Sequence, residues 1–153
     1  MRRKKIHENE FSCEFPSRSV NEAFARSIVS AFLSQLDPDL EELTDLRTAV
    51  SEAVTNSIVH GYREKSGRIY IDASIDADRS VRVRIRDKGK GIPDIPRAMK
   101  PLYTTDTSGE RGGMGFAIMK SFTDSLRVRS KEGKGTSVTM VKKLKPLPPE
   151  GGR

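Results

Sequence analysis

The sequence predicts an α+β domain, with helices laid on one face of a mostly antiparallel sheet. Three observations predict it. Helical spacing of apolar residues runs from about residue 19 to residue 60. The period then drops from 3.6 to 2 in two adjacent runs, 69–75 and 81–86. After a long interruption a short helical pattern returns, followed by two more alternating runs. The expected order is strand, helix, helix, two strands, loop, helix, two strands. The chain has 153 residues, which fits one domain able to bury ~70% of its unfolded surface.

Residues 10–15 suit a short strand. Ser19 followed by Glu22 has capping-box spacing and opens a helix carrying Phe24, Ile28, Ala31, Phe32 and Leu36. Asp37-Pro38 reads as the N-cap and first-turn proline of a second helix running to about His60. Its stripe is Leu43, Leu46, Val50, Ala53 and Ser57, and Gly61 is expected to cap its C-terminus. Ile69, Ile71, Ala73 and Ile75 alternate with polar residues, as do Val81, Val83 and Ile85 with Arg82, Arg84 and Arg86. Residues 76–79 form the turn between them, which makes a hairpin with one wet face. The arginine row reads as a solvent- or partner-facing strip, with phosphate binding as the other option. Gly89 to Gly113 holds three Pro and five Gly, which suggests a lid, a binding loop or disorder. Phe116, Met119 and Phe122 suggest a short helix, and Leu126/Val128 and Val138/Met140 suggest strands around the 132–135 turn. The expected layout is a basic extension over 1–9, one domain over 10–144 and a disordered Pro/Gly-rich tail over 145–153.

Lysine and arginine exceed aspartate and glutamate by seven. Arg2, Arg3, Lys4 and Lys5 against Glu8 account for three of these. Lys142, Lys143, Lys145 and Arg153 against Glu150 account for three more. The remaining body carries one net positive charge, which argues against a nucleic-acid-binding domain and leads to an expectation of no direct nucleic-acid partner. No apolar run is long enough for a membrane span and no leader peptide is evident, so a cytoplasmic protein without a membrane partner is expected. One Cys and two His exclude a disulfide framework and a Cys/His zinc site. Phosphate-loop, dinucleotide-fingerprint, eukaryotic-kinase and serine-hydrolase motifs are all missing from the sequence.

Three elements could carry chemistry. Glu52 and Asn56, four apart, lie about 40° apart on one helix face and away from the apolar stripe. Asp87-Lys-Gly89-Lys-Gly91 follows directly on an alternating strand, where glycine lets a ligand or another backbone approach. Arg111-Gly-Gly113-Met-Gly115 runs into a helix beside an arginine, an arrangement suited to anions. Singly, a solvated helix face, a hairpin-type turn and a flexible hinge explain each as well.

Together and in this order they resemble the nucleotide boxes of the GHKL ATP-binding superfamily, which includes gyrase and histidine kinases. Glu52-Ala-Val-Thr-Asn56 resembles its N-box, Asp87 to Pro93 its first glycine box, Arg111 to Phe116 its second, and Gly135-Thr136 its late Gly-Thr element. Asn21 to Arg26, Gln35 to Pro38, Ser51 to Asn56, Gly91 to Asp94 and Pro101 to Thr105 are further similar to the anti-sigma factor family of spore-forming bacteria. The resemblance spans residues 10–144.

It implies a two-layer α/β sandwich of the GHKL (Bergerat) type that binds ATP or ADP with Mg²⁺. Asn56 would hold Mg²⁺ and Glu52 would be the general base. Asp87 would accept from the adenine amine. Gly89, Gly91 and Thr136 would line the nucleotide, and Thr104, Thr105, Arg111, Gly113 and Gly115 would form the lid and its phosphate-facing end. Arg111 would also act in catalysis, and Gly112 stands where relatives often have Ser. The resemblance further implies a homodimer that binds a sporulation sigma factor, partly through Arg26, and phosphorylates a serine on an anti-anti-sigma partner. The alternatives are a histidine-kinase-type catalytic domain and a nucleotide-gated binding protein without kinase activity. The former needs an acceptor histidine on a long helical hairpin, and only His7 precedes the N-box helix.

Overall fold

The computed structural model describes residues 7–63, 65–100 and 115–149. Strand β1 (Asn9–Pro16) is followed by helix α1 (Asn21–Leu33), a single 3-10 turn (Ser34–Leu36) and helix α2 (Leu40–Asn56), which continues into a π turn (Ser57–Gly61). The hairpin β2 (Arg68–Ile75) and β3 (Ser80–Asp87), the one-turn helix α3 (Ile95–Ala98), helix α4 (Gly115–Ser121) and the hairpin β4 (Ser125–Lys131) and β5 (Gly135–Lys143) complete the fold. The five strands form one antiparallel sheet in the order β1-β2-β3-β5-β4. The α+β architecture and element order expected from periodicity are those observed, except that the one-turn helix α3 lies inside the stretch expected to be a loop.

Register explains the two layers. Ile71 pairs with Ile85, Ile85 with Val138, and Val138 with Val128, so one face of the sheet is apolar across four strands. Onto it pack Ala25, Val29 and Leu33 of α1, Leu46, Ala49, Val50, Ala53 and Val54 of α2, and Met119 of α4. Helix α2 is the hub of the helical layer, touching both α1 and α4.

Three local expectations are corrected. The capping box sits at Asp39, whose carboxylate accepts from Glu42 N–H at 2.8 Å while Glu42 Oε1 accepts from Asp39 N–H at 3.0 Å. Asp37 instead takes a left-handed conformation (φ 50°), which carries the chain out of the 3-10 turn. At Ser19 no side-chain cap forms: the N-cap is Val20, Glu22 N–H donates to the Ser19 carbonyl oxygen, and the Glu22 side chain turns to Arg26 and the Ser51 hydroxyl on α2. Finally, the buried stripe of α1 is Ala25, Val29 and Leu33, one residue around from the large apolar side chains. Ile28 and Phe32 pack at its flank, and Phe24 stays half-exposed with its ring edge-on to Phe15. Small residues at the centre let α1 approach α2 and the sheet closely.

The hairpin turn at 76–79 is as expected, with Arg79 N–H donating to Asp76 O at 3.0 Å. The Arg79 guanidinium donates to Leu36 O and Lys145 O, and Leu144 N–H donates to Arg79 O, so this turn anchors the chain beyond β5. Lys145 also donates its backbone N–H to Glu42 Oε2 and pairs with Asp39.

Asp39→Ala should cost about 1 kcal/mol of unfolding free energy in urea titration, whereas Ser19→Ala should be close to neutral. Leu46, fully buried, should cost about 2–5 kcal/mol as Leu46→Ala, and Leu40, 78% exposed, no more than about 0.5 kcal/mol as Leu40→Ser.

Candidate functional site

The helical layer ends in a change of pitch. α2 is α-helical through Asn56 and then widens to a π turn over Ser57–Gly61. Such a turn re-phases the side chains that follow it, and π bulges recur at functional sites. Ser57, at the junction, still bonds its N–H to Ala53 O in α-helical fashion, and its hydroxyl donates to Asp87 Oδ2 at the end of β3 at 2.8 Å. Gly89 N–H donates to Asp87 Oδ1 at 2.9 Å. Asp87 is only 7% exposed, so burial pushes its carboxyl above the usual carboxylate range; hydrogen bonds from the Gly89 N–H, the Ser57 hydroxyl and the Thr136 N–H partly oppose this. The result is a buried carboxylate held by fixed donors with lone pairs left over, which suits recognition of a ligand N–H.

Glycines make the close approach possible. A Cβ on Gly89 would lie 2.2 Å from the carbonyl oxygen of Gly61, so the two backbones touch. Lys90 N–H donates to that same carbonyl at 2.9 Å. A Cβ on Gly61 would lie 3.0 Å from Asp87 Oδ2. Gly61 is therefore small for the sake of Asp87; the C-cap is Tyr62 and not Gly61 as expected from sequence. Gly91 has φ 77° and its Cβ would meet Lys131 O at 2.2 Å. The β4–β5 hairpin closes the other side. Ser130 Oγ accepts from Ile92 N–H, donates to Gly135 O and lies 2.8 Å from Thr136 Oγ1. Tyr62 Oη accepts from Lys88 N–H and donates to Arg68 O, bracing the same loop from outside.

One turn back along α2, Glu52 and Asn56 are half-buried and face the start of α4. A Cβ on Gly115 would lie 3.1 Å from Asn56 Oδ1 and 3.3 Å from Glu52 Oε2. The residue pair that could have been a solvated helix face is thus covered by a glycine at the head of another helix. Among the described residues no group of three or more His, Cys, Asp or Glu could hold a metal ion alone. A divalent ion beside Asn56 would need ligand phosphates and water to fill its shell, which is how Mg²⁺ usually binds.

The structure therefore brings Glu52, Asn56 and Gly115 together, and gathers Asp87, Gly89, Gly91 and Thr136 into a second cluster joined to the first by the π turn. Arg26 lies apart on α1, paired with Glu22 at 3.0 Å. Thr104, Thr105, Arg111, Gly112 and Gly113 lie outside the described residues. Sequence reasoning missed the roles of Ser57, Gly61, Tyr62 and Ser130. Of these only Ser57 left a trace, as a hydroxyl inside an otherwise apolar stripe.

A model of the histidine kinase-like ATPase domain matches residues 15–142. An anti-sigma F factor of Clostridium botulinum is 54% identical over 140 residues, covering 91% of this chain and 97% of that one. The chain belongs to the anti-sigma F factor family of histidine kinase-like ATPase domains. Another anti-sigma F factor, from Thermoanaerobacter pseudethanolicus, is 52% identical over 88% of this chain and 93% of its own. A crystal structure of the RsbU and RsbW domains of a Mycobacterium tuberculosis protein shares the fold with TM-score 0.67 at 20% identity, over 91% of this chain and 34% of that one. The mycobacterial sensor histidine kinase MprB shares it with TM-score 0.53 at 22% identity, over 69% of this chain and 76% of that one. The domain-model match, over residues 15–142, includes both clusters.

Because the folded-state carboxyl of Asp87 is raised, its contribution to stability is greatest below the unfolded carboxylate range (about pH 4) and is lost as pH rises through the folded value. Asp87→Asn should therefore raise the melting temperature of the nucleotide-free protein at pH 7, with the gain shrinking as pH falls through the carboxylate range. Melting curves between about pH 4 and 8 check this. Gly89→Ala should be severely destabilising, because its Cβ has only the Gly61 backbone to displace.

Proposed function

We propose that this chain is an ATP·Mg²⁺-dependent protein serine kinase and a nucleotide-regulated inhibitor of a sporulation sigma factor. The observation that carries the enzymatic part is the convergence of Glu52, Asn56 and Gly115 at one point, on the same helix whose next residue, Ser57, holds the buried Asp87. The regulatory part is supported by relatives called anti-sigma F factors, matched over more than nine-tenths of their length.

In this reading Asp87 accepts a hydrogen bond from the exocyclic amine of adenine, which discriminates against guanine, whose corresponding position is a carbonyl. The Gly89 and Gly91 backbones lie against the base and sugar, and Thr136 supports the pocket through Ser130. The Asn56 side-chain oxygen would hold Mg²⁺, which neutralises phosphate charge when bound. Glu52 takes the proton from the serine hydroxyl of an anti-anti-sigma protein as that oxygen bonds to the γ-phosphorus and the bond to the ADP oxygen breaks. A glycine at 115 keeps the space beside both side chains open for the phosphates. Arg111 offsets charge developing on the transferring group, with Thr104, Thr105 and Gly113 forming the lid. Arg26 meets the protein partner. Its link through Glu22 to the Ser51 hydroxyl joins that surface to the residue preceding Glu52. The functional unit is residues 10–144, acting as a homodimer in the cytoplasm.

The experiment is phosphate transfer from labelled ATP·Mg²⁺ to a small anti-anti-sigma protein, in wild type and Glu52→Gln. Acid-stable label on the partner is expected. Loss of general-base catalysis should lower its rate by about 10²–10⁴-fold in the variant, with ATP affinity retained. Acid-labile label on the chain itself would replace this reading with histidine-kinase chemistry. Tight ATP binding without any label would leave a nucleotide-gated binding protein. Asn56→Ala should abolish the Mg²⁺ dependence of ATP binding measured by calorimetry, while an unchanged dependence would remove Asn56 from that role.

A further inference from the structure

The open face of the sheet, opposite the helices, is segregated by charge. Register places Arg82, Arg84 and Arg86 of β3 on it, and across β5 it places Arg127 and Arg129 of β4 level with Arg84 and Arg86. Thr139 and Ser137 lie between the two rows. Lys131 extends the β4 row by one more step. Near β1 the same face carries Glu10, Glu14 and Asp72, and of these Asp72 alone reaches the strip. It binds the Arg84 guanidinium at 2.9 Å and lies 3.6 Å from Arg86 Nε. Among the described residues no ion pair reaches Arg82, Arg127, Arg129 or Lys131. The single net charge of the body is thus the sum of a basic strip and acidic surface elsewhere, and the composition conceals the strip.

We propose that this strip binds the phosphate backbone of duplex nucleic acid without reading its sequence. Three features select that occupant. The cations lie on a regular lattice: residues 82 to 86 span about 13 Å along β3, and the β3 and β4 rows stand about 10 Å apart. That footprint faces roughly four phosphate steps of one strand. All but one of the cations are arginines, whose planar fork matches phosphate oxygens. Finally, the face offers no large exposed apolar anchor, since Val141, level with Arg82, is half-buried. The exposed large hydrophobics Val20, Phe24, Leu40 and Leu147 all lie off it. The Tyr70 ring is covered by Arg86 at 5.3 Å and Lys88 at 5.2 Å. A protein partner would want an aromatic or aliphatic core, a bilayer an inserting side chain, and single strands an open stacking ring. A second copy presented face to face would set two positive strips against each other.

The test is fluorescence anisotropy of the full chain with a labelled mixed-sequence duplex of about two helical turns (about 20 base pairs). Salt is varied between about 50 and 200 mM. Wild type should bind with an affinity that falls steeply with salt. Arg82→Gln/Arg127→Gln/Arg129→Gln should weaken binding at least about tenfold at the lower salt and reduce the log–log salt slope by about 2–3. Its circular dichroism and melting temperature should match wild type, because these side chains are exposed. Replacing Arg2, Arg3, Lys4 and Lys5 with Gln removes more charge but should cost less affinity. A larger loss in that tail variant, or no salt-dependent binding by wild type, would overturn the proposal. So would tighter binding to a poly-glutamate peptide or to anionic vesicles than to the duplex.

Discussion

A buried carboxylate at the end of β3 sets the terms for everything around it. Removing a charge from water costs several kcal/mol unless donors replace the solvent. Asp87 obtains those donors from two different layers, the Ser57 hydroxyl from the helices and the Gly89 N–H from its own loop. Ser57 reaches it from the end of α2, where its N–H still bonds Ala53 O in α-helical fashion. Gly61 must be small because it passes within contact distance of the carboxylate, and Gly89 must be small because it passes Gly61. One desolvated group therefore bears on both glycines, Gly61 directly and Gly89 through Gly61.

The same constraint fixes the neighbouring cluster. Glu52 and Asn56 stand on the α-helical part of α2, immediately before the π turn, so whatever locks the turn also locks their position relative to Asp87. Gly115 at the head of α4 is pressed against both, while Met119 one turn later is fully buried in the core. The core thereby holds the glycine in place. A site built this way is held where the sheet, α2 and the head of α4 enclose it.

The two faces of the sheet follow different rules. The inner face is an apolar surface shared by four strands, and its residues could be exchanged for others of similar volume at modest cost. The outer face holds few apolar side chains, and its charges lie in rows because alternation and register put them there. It contributes little to folding, since exposed ion pairs such as Arg84–Asp72 are worth roughly 0–1 kcal/mol. A charged pattern that does little for stability is free to serve recognition.

Periodicity alone determined the α+β class, the order of elements and the hairpin of β2 and β3, because alternation and helical spacing are local properties of the chain. The spacing of Glu52 and Asn56 and the Asp87-x-Gly89-x-Gly91 pattern were equally legible, being short runs on single elements. Tertiary structure decided the rest. Both Ser19–Glu22 and Asp39–Glu42 have capping-box spacing, and only the fold tells them apart, with Val20 at the N-cap of α1 and the Glu22 side chain turned to Arg26 and Ser51. The α1 stripe takes in Ala25 in place of Phe24 because close packing against α2 favours a small residue over the more hydrophobic one. The roles of Ser57 and Gly61 exist through Asp87, about 30 and 26 positions away in sequence, and Ser130 reaches Ile92 about 38 positions away; no local pattern encodes a contact at that range. The basic strip stayed hidden for the same reason, since net charge is a sum over the chain and a surface potential depends on which charges the register brings side by side.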